Sequence, residues 1–130
     1  MIDTLDTLRD FLVAQSSLTA LTGQRIYAGR VYPPSSYTPD QHAICFNGRG
    51  GTLEYSSRII TESYTFKCYG SSAVHAMTLY RTLVDVLHDA HSGAIRHAEL
   101  EIAGYSLQEP ETDWFYVLSF FRVSYNSGLN

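Results

Sequence analysis

Lysine is nearly missing from this chain: Lys67 stands alone beside eight arginines in 130 residues, and no stretch gathers basic residues into a run. Proteins that bind nucleic acid through its phosphates need such clusters, because affinity comes from releasing condensed counterions. A formal charge of −4 points the other way. Charge of either sign is scarce, at 17% against a usual quarter, so the surface is short of solvating groups. Cysteine is limited to Cys45 and Cys68, without CxxC spacing and without a secretory signal ahead of them. They are expected as small buried hydrophobes in a reducing compartment, not as disulfide partners or metal ligands. No apolar run approaches the ~20 residues that cross a bilayer, and nothing resembles a targeting segment, so the expectation is a chain made and kept in cytosol.

What is present suits one globular domain spanning residues 1–130, with 45% apolar residues and a length that buries roughly two thirds of the unfolded surface. Ile2, Leu5, Leu8 and Leu12 recur at helical steps behind a capping Asp3 or Thr4, which predicts a helix over about 4–15. In "SSLTALTG" Ser17 is placed to cap a further short turn and Gly23 supplies a left-handed exit, so a helical hairpin or broken helix opens the protein. "QRIYAGRVY" (24–32) reads as a strand and "PPSSYTPD" (33–40), with three of the four prolines, as an irregular loop. "HAICF" (42–46) is a second strand, and the glycines of "NGRGG" (47–51) predict a mobile hairpin tip.

From Arg58 to Tyr69, Ile60, Tyr64, Phe66 and Cys68 alternate with Thr61, Ser63, Thr65 and Lys67, while Glu62 breaks the apolar side and argues that this end of the strand leaves the core. Ser71 or Ser72 caps a helix over about 73–91, with Ala76, Met77, Tyr80, Leu83, Val84, Leu87 and Ala90 as its stripe and Gly93 as its stop. In 95–108, Ala98, Leu100 and Ile102 oppose His97, Glu99 and Glu101, after which Tyr105 and Leu107 take the other parity; a bulge near Gly104 reconciles them. The order α-β-β-β-α-β-β with hairpin-length connections predicts an α+β domain, a mostly antiparallel sheet of about five strands with two main helices on one face.

"WFYVLSFFRVSY" (114–125) is the last strand, and neither of its parities is polar. Trp114, Tyr116, Leu118 and Phe120 share one side, with Phe115, Val117, Phe121, Val123 and Tyr125 on the other. Two helices cover one face only, so the second face needs a neighbouring copy or another protein, because a soluble monomer rarely exposes a large apolar patch. The alternative is a sheet that curls on itself and buries both sides.

Catalytic patterns are thin. His88, Asp89, His91 and His97 cluster around a helix end, but no third ligand with metal-binding orientation is evident, and the helix dipole favours histidines there without any metal. "NGRGGT" lacks the GxxxxGK[ST] pattern and a following helix. Ser71, Ser72 and His75 lack a nucleophile elbow, and capping accounts for the serines. The pairs Glu99 with Glu101 and Glu109 with Glu111 read as solvation of an exposed strand and turn. Neither an enzyme nor a cofactor or metal is expected.

Over "LTALTGQRIYAGRVYPPSSYTPDQHAICF" (18–46) the chain resembles the tail-completion, or tail-terminator, family of long-tailed bacteriophages. Leu18, Leu21, Gly23, Arg25, Ile26, Tyr27, Pro33, Pro34 and Pro39 occupy comparable places, and "YTFKCYGSSAVHAMTLYRTLVDVLHD" (64–89) continues the similarity as a strand running into a helix. The long glycine stretch and the very aromatic last strand depart from the family's pattern. The resemblance implies a structural virion protein at the tail–neck junction, assembled in the bacterial host cytoplasm. There it forms a ring, commonly of six copies, that caps the finished tail tube and offers the head connector a docking surface. DNA would pass through without specific binding, which suits a negative net charge. Subunit contacts are expected at Trp114, Tyr116, Phe120 and Arg122, and tube or neck contacts at Tyr32, Tyr37, Arg49, Glu54 and Arg58. The alternatives are a neck or head-completion protein of the head–tail interface and a small ligand-binding α+β domain.

Overall fold

The computed structural model describes residues 2–53 and 58–127. Helix α1 (Thr4–Val13) starts at Asp3, whose carboxylate accepts the Asp6 amide, and it buries Leu8 and Leu12. Helix α2 (Ser16–Thr22) follows from Gln15, not from Ser17, and Gly23 ends it with a φ of 57°. The expected first strand shrinks to β1 (Ile26–Ala28). It runs parallel to β2 (Ala43–Leu53), pairing Ile26 with Ile44 and Ala28 with Phe46. Strand β3 (Ile59–Gly70), helix α3 (Ala73–Leu87), β4 (Ile95–Gln108) and β5 (Phe115–Asn126) complete the chain. The sheet order is β1-β2-β3-β5-β4, antiparallel except at β1. This is the α+β architecture expected, with β5 inside the sheet.

The odd-numbered side of β5 enters the main core. Val117, Phe121, Val123 and Tyr125 join Ile44, Phe46, Tyr64, Phe66 and Cys68 beneath Leu8, Leu12, Leu18, Ala76, Leu79, Leu83 and Leu87. All three helices therefore lie on one face, and burying these side chains is the main stabilising term.

Four details correct the sequence reading. The glycines of 47–51 are not a hairpin tip; β2 runs through them to Leu53, with one register shift between Gly48 and Gly51 where it pairs with β3. Helix α3 stops at Leu87, before Gly93, because Asp89 takes a φ of 64° and its amide is drawn to the Ala98 carbonyl of β4. Glu62 does not carry its strand out of the core: its carboxylate accepts hydrogen bonds from the Thr4 and Tyr64 hydroxyls, and Tyr64 in turn meets the Tyr125 hydroxyl at 2.7 Å. Ile102 faces away from Ala98 and Leu100, because β4 slips once between Leu100 and Ile102 and again, at the expected bulge, between Ile102 and Tyr105.

Candidate functional site: the uncovered sheet face

Residues paired across an antiparallel ladder share a face, so the register lays out the side of the sheet that lacks helices. One row holds Ala43, Tyr69, Tyr116 and Leu107; the next Cys45, Lys67, Leu118 and Tyr105; then Asn47, Thr65, Phe120 and Ile102; then Ser63, Arg122 and Glu99. The aromatic side of β5 thus sits at the centre of an apolar field with polar residues at one end.

The chain covers part of this face itself. The proline-rich loop folds back and inserts Tyr37, only 4% exposed, into a second small core with Ala43, Cys45 and Tyr69. The Tyr37 ring lies edge-on to Trp114 at 4.8 Å and tilted to Tyr69 at 5.8 Å, and its hydroxyl donates to the Gln41 carbonyl. Burial pushes its phenol up to about 12. The Tyr69 hydroxyl donates to Glu109 at 2.6 Å, which ties this corner to the turn after β4. Beyond Tyr37 the cover is made of cations: Lys67 Nζ lies 4.9 Å from the Tyr116 ring centroid and the Arg49 guanidinium 4.3 Å from that of Phe120. Ile102 and Tyr105 remain 49% and 47% exposed. Arg122 bridges Glu99 at 3.4 Å and Glu101 at 3.1 Å, one guanidinium for two carboxylates.

The expected subunit residues Trp114, Tyr116, Phe120 and Arg122 all lie on this face. The expected tube or neck contacts do not form a separate group. Arg49 belongs to the same face through Phe120. Tyr37 is an interior residue, its side chain withdrawn from the surface by Trp114 and Tyr69. Tyr32 is 59% exposed and lines a groove of about 550 Å³ with Arg30, Glu109, Glu111 and Trp114. Arg58 is exposed at the entrance to β3, and Glu54 lies outside the described residues. Sequence reasoning missed Lys67, Ile102, Tyr105 and Leu107 as members of the field. The change of parity along 95–108 was the available signal for the last three.

Of the remaining polar clusters, Ser71 Oγ is hydrogen-bonded to His75 Nδ1, and the histidines that follow α3 are tied to β4. His88 Nδ1 accepts the Leu100 amide at 3.0 Å, which puts the proton of the neutral ring on Nε2, toward Asp89 at 3.6 Å, so no lone pair is left there for a metal. A hydrogen bond from His97 holds the Asp89 carboxyl below its ordinary range. Among the described residues no three His, Cys, Asp or Glu side chains are arranged to hold a metal ion. Burial raises the Cys45 thiol to about 12 and Cys68 further, so both are poor nucleophiles.

No family model matches the chain, and no curated protein does. Its fold is shared with a chain of a solved structure described as the virion of a native gene transfer agent (GTA) particle. That match covers 96% of this chain and 99% of the other, with a TM-score of 0.66 and 14% identity. At that identity the shared feature is the fold alone.

Proposed function

We propose that this protein is a structural component of a phage-type virion, a tail terminator whose copies form a ring that caps the finished tail tube and gives the head connector a surface to dock on. It acts by stoichiometric assembly, with DNA passing through the ring. The observation that carries the reading is the whole-length fold match to a virion chain. The uncovered aromatic face adds to it, because association removes from water an apolar field that the chain's own loop covers only at one corner. In this reading Trp114, Tyr116, Phe120 and Arg122 lie where neighbouring copies meet. Tyr32, Arg58 and Glu54 are the proposed tube or neck contacts, Arg49 joins them from its place over Phe120, and Tyr37 anchors the loop that carries Tyr32.

A cap on a growing polymer stops its growth, which makes the test direct. Purified protein added to polymerising tail-tube protein should yield tubes closed at one end and no longer extending, and negative-stain images of the protein alone should show rings with a central hole. Tubes that grow at an unchanged rate with the protein in excess, and never retain it, would refute the capping role.

A further inference from the structure

The second half of β2 leaves a notch on the helix side of the sheet. Gly48 pairs with Tyr64 and Leu53 with Ile60, so these positions face the layer of α1, but α1 begins at Thr4 and glycine supplies no side chain to fill the space. Ile2, Leu53 and Ile60 wall a cavity of about 440 Å³ whose charged member is Glu62, and the glycine backbone of β2 forms another side. A Cβ added to Gly48 or Gly50 would meet nothing within 4 Å, whereas one on Gly51 would come within 2.9 Å of Glu62 Cγ. The glycines therefore keep open the space beside this carboxylate.

Glu62 enters that space without a counter-charge. Thr4 Oγ1 lies 3.1 Å from each of its oxygens and the Tyr64 hydroxyl 3.0 Å from Oε2, so two hydroxyl protons orient the carboxylate and leave about half of its roughly four acceptor positions open. Among the described residues the ion pairs are those of Asp89 and Arg122, and none includes Glu62. A carboxylate set between apolar walls favours a ligand that is aliphatic along its stem and cationic at its tip. Two oxygens presented side by side suit the planar fork of a guanidinium better than the point charge of an ammonium.

We propose that this notch receives an arginine side chain of another virion protein, with the guanidinium on Glu62 and the stem along Ile2, Leu53 and Ile60. The class of partner rests on the virion reading; the chemistry of the site does not. A second copy of this chain is a poorer source. Arg9, Arg25 and Arg30 donate to the carbonyls of Ile26, His42 and Tyr32, Arg49 covers Phe120, Arg96 holds Asn126 and Arg122 its two glutamates. Arg58 stands two residues from Ile60 of the notch wall, so an exchange of Arg58 between copies would be a twofold contact, which stops at a dimer and builds no ring. That leaves Arg81, exposed on α3, as the arginine a second copy could offer.

The probe is n-propylguanidinium, an arginine side chain without its backbone, with n-propylurea as the uncharged control. Added to the full chain, the cation should shift the amide resonances of Gly48, Gly50, Gly51 and Thr52 saturably and the urea should not, a contrast that needs no variant to fold. Glu62→Gln keeps the shape of the side chain and removes its charge, while Gly48→Leu fills the notch and leaves Glu62 in place. Each should weaken the cation about tenfold or more, the loss of one hydrogen bond to a charged group. Equal shifts with cation and urea, or in parent and both variants, would overturn the site. The same variants should weaken binding to purified tail-tube or connector protein about tenfold or more, with rings forming as in the parent. Unchanged binding to both proteins would overturn the partner role. Rings lost in Glu62→Gln and equally in Arg81→Gln would assign the notch to a second copy and overturn the choice of another protein. A cation response lost in Glu62→Gln, in a chain that neither forms rings nor stays on tubes, would uphold the site and refute the terminator reading instead.

Discussion

His42 shows how a single residue can carry a pH signature without any catalytic role. Its Nε2 is buried and has no hydrogen-bond partner among the described residues, the His75 ring is 6.0 Å away on α3, and its carbonyl accepts Arg25 Nε. Burial first, then the neighbouring His75 and Arg25 charges, push the imidazole below its ordinary 6.5, while a backbone hydrogen bond with His75 opposes them. The folded state therefore resists a proton that the unfolded chain accepts, so stability falls as pH drops below 6.5 and levels off once the folded value is passed. His42→Gln should flatten that part of the profile. Urea midpoints of the two proteins compared between pH 7 and about pH 5 would check it. An identical slope in both would show that His42 is not the source. The sequence shows a histidine next to a strand; it does not show that a loop and a helix close over it.

At the scale of the element, strand β4 departs furthest from a simple alternation. Its register slips let one strand present Ala98 and Leu100 to the core and then Ile102, Tyr105 and Leu107 to the open face. Gly104 lies at the second reversal, where an added Cβ would come within 2.5 Å of Val117 and 2.8 Å of Tyr80, and its amide donates to the Tyr80 hydroxyl. Gly104→Ala should cost about 1–3 kcal/mol, the range for overpacking a filled interior. A denaturation midpoint within error of the parent would mean that α3 shifts freely at Tyr80. Helices were more legible than strands here. Asp3 and Ser72 cap where the sequence places them, and Ala76, Tyr80, Leu83 and Leu87 of the α3 stripe are buried as read, with Leu79 added, while Met77 and Val84 are half-buried and Ala90 lies past the helix end. Capping and the helical period are local, whereas the glycines of β2 look like a turn and extend as strand only because β3 lies alongside them.

For the whole molecule, the decisive fact is that three helices serve one face while the other is served by a tyrosine, two cations and a loop. The only lysine lies in that second face, which makes it a natural reporter. If assembly covers the face, acylation of Lys67 by an amine-reactive ester, followed by peptide mass, should slow several-fold in rings relative to dilute protein. Modification at the same rate in both would place the subunit contact elsewhere. That Trp114, Tyr116, Phe120 and Arg122 lie on one side of the sheet was legible because they share a parity. That Arg49 lies over Phe120, and that Tyr37 fills the corner beside Trp114, was not, since each joins segments far apart in the chain.

Sequence by itself determined the class: an α+β domain with a two-sided apolar strand inside an antiparallel sheet, read from periods of two and of about three and a half residues that local geometry imposes. Only the tertiary structure decided which side the helices would take, where the proline loop would land and where a notch would stay open. Those outcomes depend on register and on contacts between distant segments, and no local pattern of side chains encodes them.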